Sequence, residues 1–258
     1  MIWRLINFIF KIFDKIYFSA EKKNWSIALK NSKSYEDNAI VEKIIKTYEQ
    51  IENYNFEFYE RDGILFKQKF DEIFLLNFLT ENIKPGKFLE VLDFGGSLGS
   101  RFFSNYNFIN KNNIIWNIVE QNKFVEFGKK KLNKNNLQFY CSIDECSKAK
   151  NIDCVIFSNS LQYLEKYDET LKYIKKNKIK SVFIDFLPVS NLKNHKIFVQ
   201  NIPKKIYKSS YPIRIFSRDK FINEIKNLEF DIELKDRKKA VFYGFDYYLF
   251  IIKNKSFD

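Results

Sequence analysis

The feature that most constrains this chain is a short apolar run, Phe88-Leu89-Glu90-Val91-Leu92-Asp93, that breaks directly into Phe94-Gly95-Gly96-Ser97-Leu98-Gly99-Ser100. A run of that length ending in clustered glycines reads as a buried strand turning into a helix start. Similar runs recur at 114–120, 137–140, 154–158 and 182–185, separated by helix-like segments such as 124–132 and 161–174. Strands alternating with helices at this spacing predict an α/β, doubly wound, mostly parallel sheet with helices on both faces. Residues 221–228 read as a further helix. Strands at 230–234 and 247–252 would then close the sheet as a hairpin-like edge pair.

The glycine spacing says what such a turn can hold. Glycines let the backbone approach a ligand closely, and the helix start adds unpaired amides. A dinucleotide fingerprint needs glycine at turn positions one, three and six. Those positions are Gly95, Ser97 and Ser100, so two of the three fail. Asp93, Gly95, Ser97 and Gly99 instead fit the pattern of methyl-donor sites: an acid, one residue, then small residues at alternate places, with Gly96 inside the turn. An acid there suits a ligand bearing amino and sulfonium charge and would repel a pyrophosphate. The expected cofactor is therefore S-adenosylmethionine (SAM). Glu120, ending the second run, falls where an acid accepts hydrogen bonds from both ribose hydroxyls, with Gln121 beside it. Its alternative is a solvated acid at a helix N-terminus. Ser158, Asn159 and Ser160 follow the fourth run and should approach the methionine moiety, with Gln162 or Tyr163 near the methyl group. The same residues would also serve as a helix cap.

Upstream of Lys84-Pro85-Gly86 the pattern differs. Residues 20–85 read as helical, around Trp25/Ala28/Leu29, 40–51 and 66–79, with a polar-aromatic stretch at 54–63. This predicts an N-terminal helical extension or cap over 1–85 and a Rossmann-like domain over 86–258. Residues 1–18 are apolar, but Arg4, Lys11, Asp14 and Lys15 interrupt them, so no run reaches the roughly 20 apolar residues of a membrane span. Ile2, Leu5, Ile6, Ile9, Phe13, Ile16 and Tyr17 share one helical face. The expectation is a helix packed on the domain, with peripheral contact to a membrane surface through residues 1–18 as the alternative.

The formal net charge of +12 invites a nucleic-acid reading. Six of the 44 basic residues are Arg, however, and the lysines sit among Asn and Ile as in an AT-rich genome. Nucleic-acid binding more often concentrates Arg, whose planar fork suits phosphate and base edges. A small anionic or sugar-linked acceptor is the preferred partner. Cys141, Cys146 and Cys154 are odd in number and lack zinc-ligand spacing, which points to a reducing cytoplasm and no metal. Oligomeric state is not legible.

The motif from Leu92 to Ser100 and the run Trp116-Asn117-Ile118-Val119-Glu120-Gln121 resemble a bacterial methyltransferase family associated with surface-polysaccharide and capsule loci. So do Ser160-Leu161-Gln162-Tyr163-Leu164, Ile202-Pro203, Ser210-Tyr211-Pro212, Glu60-Arg61-Asp62-Gly63, and Trp25 with Ala28 and Leu29. The resemblance spans nearly the whole chain after residue 18. It implies a class I methyltransferase fold with a seven-stranded sheet, SAM as donor, and a small glycan-related acceptor. Ser97 departs from the general pattern, which has glycine there. No acid directly follows the third run, where one often holds the adenine amine; Asp144 is the nearest.

Methyl transfer from a sulfonium needs alignment and, for an oxygen or nitrogen nucleophile, a base. His195, the only histidine, lies in a polar loop after the fifth run and its Asp185, and is the candidate base. Its alternative is an ordinary surface histidine. Tyr163 and Asp185 complete the catalytic candidates. Tyr59, Arg61 and Asp62, with Tyr211 and Arg214, are candidates for holding a sugar or phosphate, and 210–212 reads as a lid segment. The reading is an O- or N-methyltransferase acting on a glycan-related, phosphorylated or nucleotide-linked acceptor. The competitors are a nicotinamide enzyme, disfavoured by the glycine spacing, and a non-catalytic module docking to a membrane or a glycan-assembly partner.

Overall fold

Side chains alternate across a strand, so a strand in the middle of an α/β sheet must be covered on both sides. The computed structural model describes residues 15–33, 38–50, 59–61, 63–66, 72–204, 206, 208–240 and 243–257. In chain order they form β1 (Tyr17–Phe18), α1 (Trp25–Lys30), α2 (Asn38–Gln50), β2 (Tyr59–Arg61), β3 (Ile64–Phe66) and α3 (Ile73–Asn82). The alternating region follows: β4 (Leu89–Phe94), α4 (Ser100–Ser104), α5 (Tyr106–Lys111), β5 (Ile114–Val119), α6 (Asn122–Lys131), β6 (Leu137–Tyr140), α7 (Ile143–Ala149), β7 (Cys154–Ser158) and α8 (Tyr167–Lys176). The chain ends with β8 (Ser181–Ser190), β9 (Lys196–Ile202), β10 (Ser209–Ser217), α9 (Arg218–Asn227), β11 (Phe230–Ala240) and β12 (Phe245–Asn254).

The expected seven strands lie in the order β6-β5-β4-β7-β8-β12-β11. The first five are parallel, and β12 runs antiparallel to both β8 and β11. Three strands extend this sheet to ten. β10 joins β8 in parallel at Phe216 and Ser217, β9 pairs antiparallel with β10, and β1 pairs antiparallel with β9. The segment 210–212, read as a lid, is therefore part of a strand. β8 meets β10 only from Phe216 onward, so Pro212 sits on an open stretch where a missing amide is tolerated.

Residues 1–14, and with them most of the expected apolar helix and its membrane contact, lie outside the described residues. Tyr17 and Phe18 are strand rather than the helix end that the periodicity predicts, because they pair with Asn201 and Gln200. The helix expected over 66–79 begins at Ile73. Ile64–Phe66 instead hairpins with β2 through Gly63, at φ 71°, whose amide donates to Glu60 Oε1 at 2.7 Å. Among the described residues no helix is long and apolar enough to cross a membrane.

Alternate residues of the central strands feed two cores. Val91, Ile156 and Phe183 join α2, α3 and α6 on one side, through Ile44, Phe78 and Phe124. Leu92, Val155 and Ile184 join α8 and α9 on the other, through Leu171 and Phe221. A third, smaller cluster of Phe18, Ile213, Ile215 and Phe245 fastens the added strands. Burying each large side chain contributes about 1.5–3 kcal/mol.

Candidate functional site

The carboxyl ends of β4, β5, β6 and β7 open into a cavity of about 800 Å³. At the end of β4 the chain turns through Gly95 (φ 73°), Gly96, Ser97 (φ 53°) and Gly99 (φ 91°) before α4 begins. The fully buried Leu98 anchors the turn in the core, and the Gly95 amide donates to Val119 O at 2.9 Å. Two of the glycines are required by close approach. A Cβ on Gly96 would lie 2.6 Å from Asp93 Oδ2, and one on Gly95 would lie 2.9 Å from Ser160 Cβ. The turn thus lets β4's acid and β7's loop meet over one wall of the cavity.

Asp93 is 1% exposed. Its Oδ2 accepts from Trp116 Nε1 at 3.0 Å, while Oδ1 has no hydrogen-bond partner among the described residues. Burial pushes its carboxyl up to about 6, against the lowering influence of the Arg101 guanidinium and the Trp116 hydrogen bond. The neighbouring charges of Asp185 and Glu72 contribute to the same rise. Glu120, just past β5, accepts from the Gln121 amide at 2.7 Å. Burial lifts its carboxyl to about 7, although the Gln121 and Ser97 amides both favour the charged form. Both acids line the cavity, and both would gain from a ligand that brings positive charge or hydroxyl donors. An acid with an orphaned oxygen beneath a glycine turn, and a second one strand over, suit an amino-acid sulfonium carrying a ribose.

The wall also contains Gly95, Gly96, Ser97, Gln121, Ser158, Asn159, Ser160, Tyr163 and Tyr211. Cys141 to Asp144 follow β6 in the wall, where Ser142 caps α7 by accepting from the Glu145 amide at 3.0 Å. Gly99 and Gln162 stand behind the wall: Gly99 starts α4, and the buried Gln162 donates to Asn159 Oδ1 at 2.6 Å. Tyr163 donates to Gln200 Oε1 at 2.9 Å and packs edge-on against Tyr211 at 5.1 Å.

Other expected residues are placed apart from the cavity wall. His195 accepts from the Ser217 amide through Nδ1 at 2.8 Å, and its Nε2 meets Glu224 at 3.1 Å. It packs against the rings of Tyr167 and Phe216. Asp185 faces Arg101 at 2.5 Å. Arg214 donates to Leu164 O and Glu165 O at 2.7 and 2.9 Å, with its guanidinium over the rings of Tyr167 and Trp25. It thereby braces the loop after β7. Asp62 lies outside the described residues, as do the side chains of Tyr59 and Arg61.

Arg101, Glu60 and Phe186 also line the cavity; of these, only Glu60 stands in a motif legible in the sequence, Glu60-Arg61-Asp62-Gly63. Arg101 is buried and pairs with Asp185 and, at 3.5 Å, with Glu72, whose carboxylate also accepts from Asn105. Glu60, between Tyr59 and Arg61, is 4% exposed and reaches the wall from the hairpin. Phe186 sits at φ 52° beside a register break between β8 and β12, a left-handed aromatic residue in the cavity wall. Such strain is retained where surrounding structure enforces it.

No protein-family model matches the chain, and no curated protein matches it. Solved structures do. The N-terminal domain of EvdMO1, crystallised in the presence of SAH and D-fucose, matches at a TM-score of 0.53 and 13% identity, over 83% of this chain and 95% of that one. A 1,6-didemethyltoxoflavin-N1-methyltransferase from Burkholderia thailandensis matches at 0.47 and 12%, over 86% and 91%. An S-adenosylmethionine-dependent methyltransferase from Clostridium acetobutylicum ATCC 824 matches at 0.47 and 12%, over 70% and 89%. The strand order, the cavity at the strand ends and the first of these likenesses agree: the chain has the Rossmann-like fold of class I methyltransferases.

Proposed function

We propose that this chain is a SAM-dependent methyltransferase acting on a small glycan-related acceptor in surface-polysaccharide assembly. The observation that carries the donor assignment is the pair of acids, buried Asp93 and half-buried Glu120, flanking a glycine turn at the ends of adjacent parallel strands. When bound, SAM supplies an electrophilic methyl group on a sulfonium. Asp93 meets the positive methionine end, Glu120 accepts from the ribose hydroxyls, and the Gly95–Ser97 backbone closes over the linker between them. Cys141 to Asp144 flank the base. Ser158 to Ser160 position the methionine end from β7, and Tyr163 stands where the acceptor must approach.

The acceptor assignment is supported by the motif resemblance and by the aromatic wall of Trp25, Tyr163 and Tyr211. The EvdMO1 domain was crystallised with a sugar as well as SAH. The free cysteines fit a cytoplasmic setting. Thermal unfolding with SAM, SAH or NAD tests the donor assignment. At about a hundredfold excess over Kd either sulfur compound should stabilise the fold by about 2.7 kcal/mol, and NAD should not. Stabilisation by NAD alone would overturn the assignment.

A further inference from the structure

The cavity is acidic although the chain is basic. Against a formal net charge of +12, its described lining includes the carboxylates of Glu60, Asp93, Glu120, Asp144 and Glu169 and the cations Arg101 and Lys166. Both cations are engaged: Arg101 with Asp185 and Glu72, and Lys166 with Glu169 at 3.0 Å. Among the described residues, a phosphate entering here would meet mostly like charge at reduced dielectric, with no cluster of cations to hold it.

The strand-end residues account for the donor's side of the cavity. The remaining wall comes from the N-terminal elements, from β8 and β10 and from the start of α8, and includes Trp25, Glu60, Phe186 and Tyr211, with Tyr163 beside Tyr211. Within it Glu60 is fixed from two sides. Its Oε2 accepts from Ser100 Oγ at 2.6 Å and its Oε1 from the Gly63 amide at 2.7 Å. Tyr48 Oη lies 3.1 Å from Ser100 Oγ and steadies that hydroxyl. Ser100 is the first residue of α4, directly after the glycine turn, so one hydrogen bond ties this carboxylate to the donor cradle. A carboxylate accepts O–H and N–H hydrogens, and aromatic faces pack on ring carbons and attract cations.

We propose that the acceptor is a ring-bearing small molecule with no phosphate or carboxylate, packed against the aromatic wall and held by Glu60 through an O–H or N–H. This rests on the donor assignment above and, of the anionic or sugar-linked acceptor expected from the sequence, keeps the uncharged sugar-like alternative and sets aside the anionic one. The test is a calorimetric titration of the protein, first with SAH and then, saturated with SAH, with three hexoses: glucose, glucosamine and glucose 6-phosphate. Glucose or glucosamine should bind roughly tenfold or more tightly than glucose 6-phosphate. A lead for glucosamine marks an acceptor held partly by positive charge, and parity or a lead for glucose marks one held by hydroxyls. Glu60→Gln should weaken the favoured sugar by roughly tenfold and leave SAH binding intact. Equal or tighter binding of the phosphate, binding of no hexose, or a folded Glu60→Gln variant with undiminished sugar affinity would overturn the proposal. If that variant does not fold, the wild-type ranking alone decides. Failure of the first SAH titration would strike the donor assignment instead.

Discussion

At Ser97 the chain places a β-carbon where the backbone is left-handed, at φ 53°, and buries the hydroxyl without a hydrogen-bond partner among the described residues. Both features cost free energy, of the order of 1 kcal/mol each. Ser97→Gly should therefore raise the unfolding free energy by about 1 kcal/mol in a denaturant titration, after Gly's greater unfolded-state entropy is subtracted. The amide that supports Glu120 is retained. Loss of stability would show that the hydroxyl has a partner in solution. The same position explains what was legible at residue scale. Asp93, the small residues and Glu120 could be found because each answers a local demand of the turn or a strand end. Arg101 could not, and Glu60 was legible only as part of the Glu60-Arg61-Asp62-Gly63 motif. Their meaning lies in partners 84 and 40 residues away, Asp185 and Ser100, which no local spacing encodes.

Helix α6 shows how tightly the elements around the site are fitted. A Cβ on its Gly128 would lie 2.6 Å from the ring of the buried Phe139 on β6. Gly→Ala in a helix ordinarily gains about 1 kcal/mol, but overpacking against a rigid buried ring costs about 1–3 kcal/mol. Gly128→Ala should therefore lower the thermal midpoint, and a raised midpoint would mean that α6 can slide on the sheet. The central strands were legible because continuous apolar runs bounded by turns have few other solutions. β9 and β10 were not. Every residue of β10 is buried, which erases the polar–apolar alternation of a half-exposed strand, and Pro212 reads as a breaker. β1 is two residues long, held by pairing to a strand some 180 positions onward, and lies in a stretch whose periodicity reads as helix.

Over the whole molecule, the raised carboxyls of Asp93 and Glu120 make stability depend on pH. In the folded state both bind protons up to about 6 and 7, whereas in the unfolded chain they release them near 4. Between those limits the folded state holds more protons, so unfolding free energy falls as pH rises from about 4.5 to 7.5, by about 1–3 kcal/mol per group. Asp168, Glu224 and Asp246 are shifted downward and act at lower pH. Denaturant titrations across this range should show the fall, and Asp93→Asn should flatten it; an unchanged slope would mean that Asp93 titrates normally. A bound cation reverses the balance by favouring the charged acids, so donor affinity should strengthen over the same interval. The central claim, that Asp93 and the glycine turn hold a methyl donor, is tested most directly by calorimetric titration of SAM into the wild-type protein and its Asp93→Asn variant at pH 7.5. The predicted result is micromolar binding by the wild type and a loss of roughly tenfold to hundredfold in the variant. Wild-type protein that fails to bind SAM, or an Asp93→Asn variant that binds it equally well, would contradict the account.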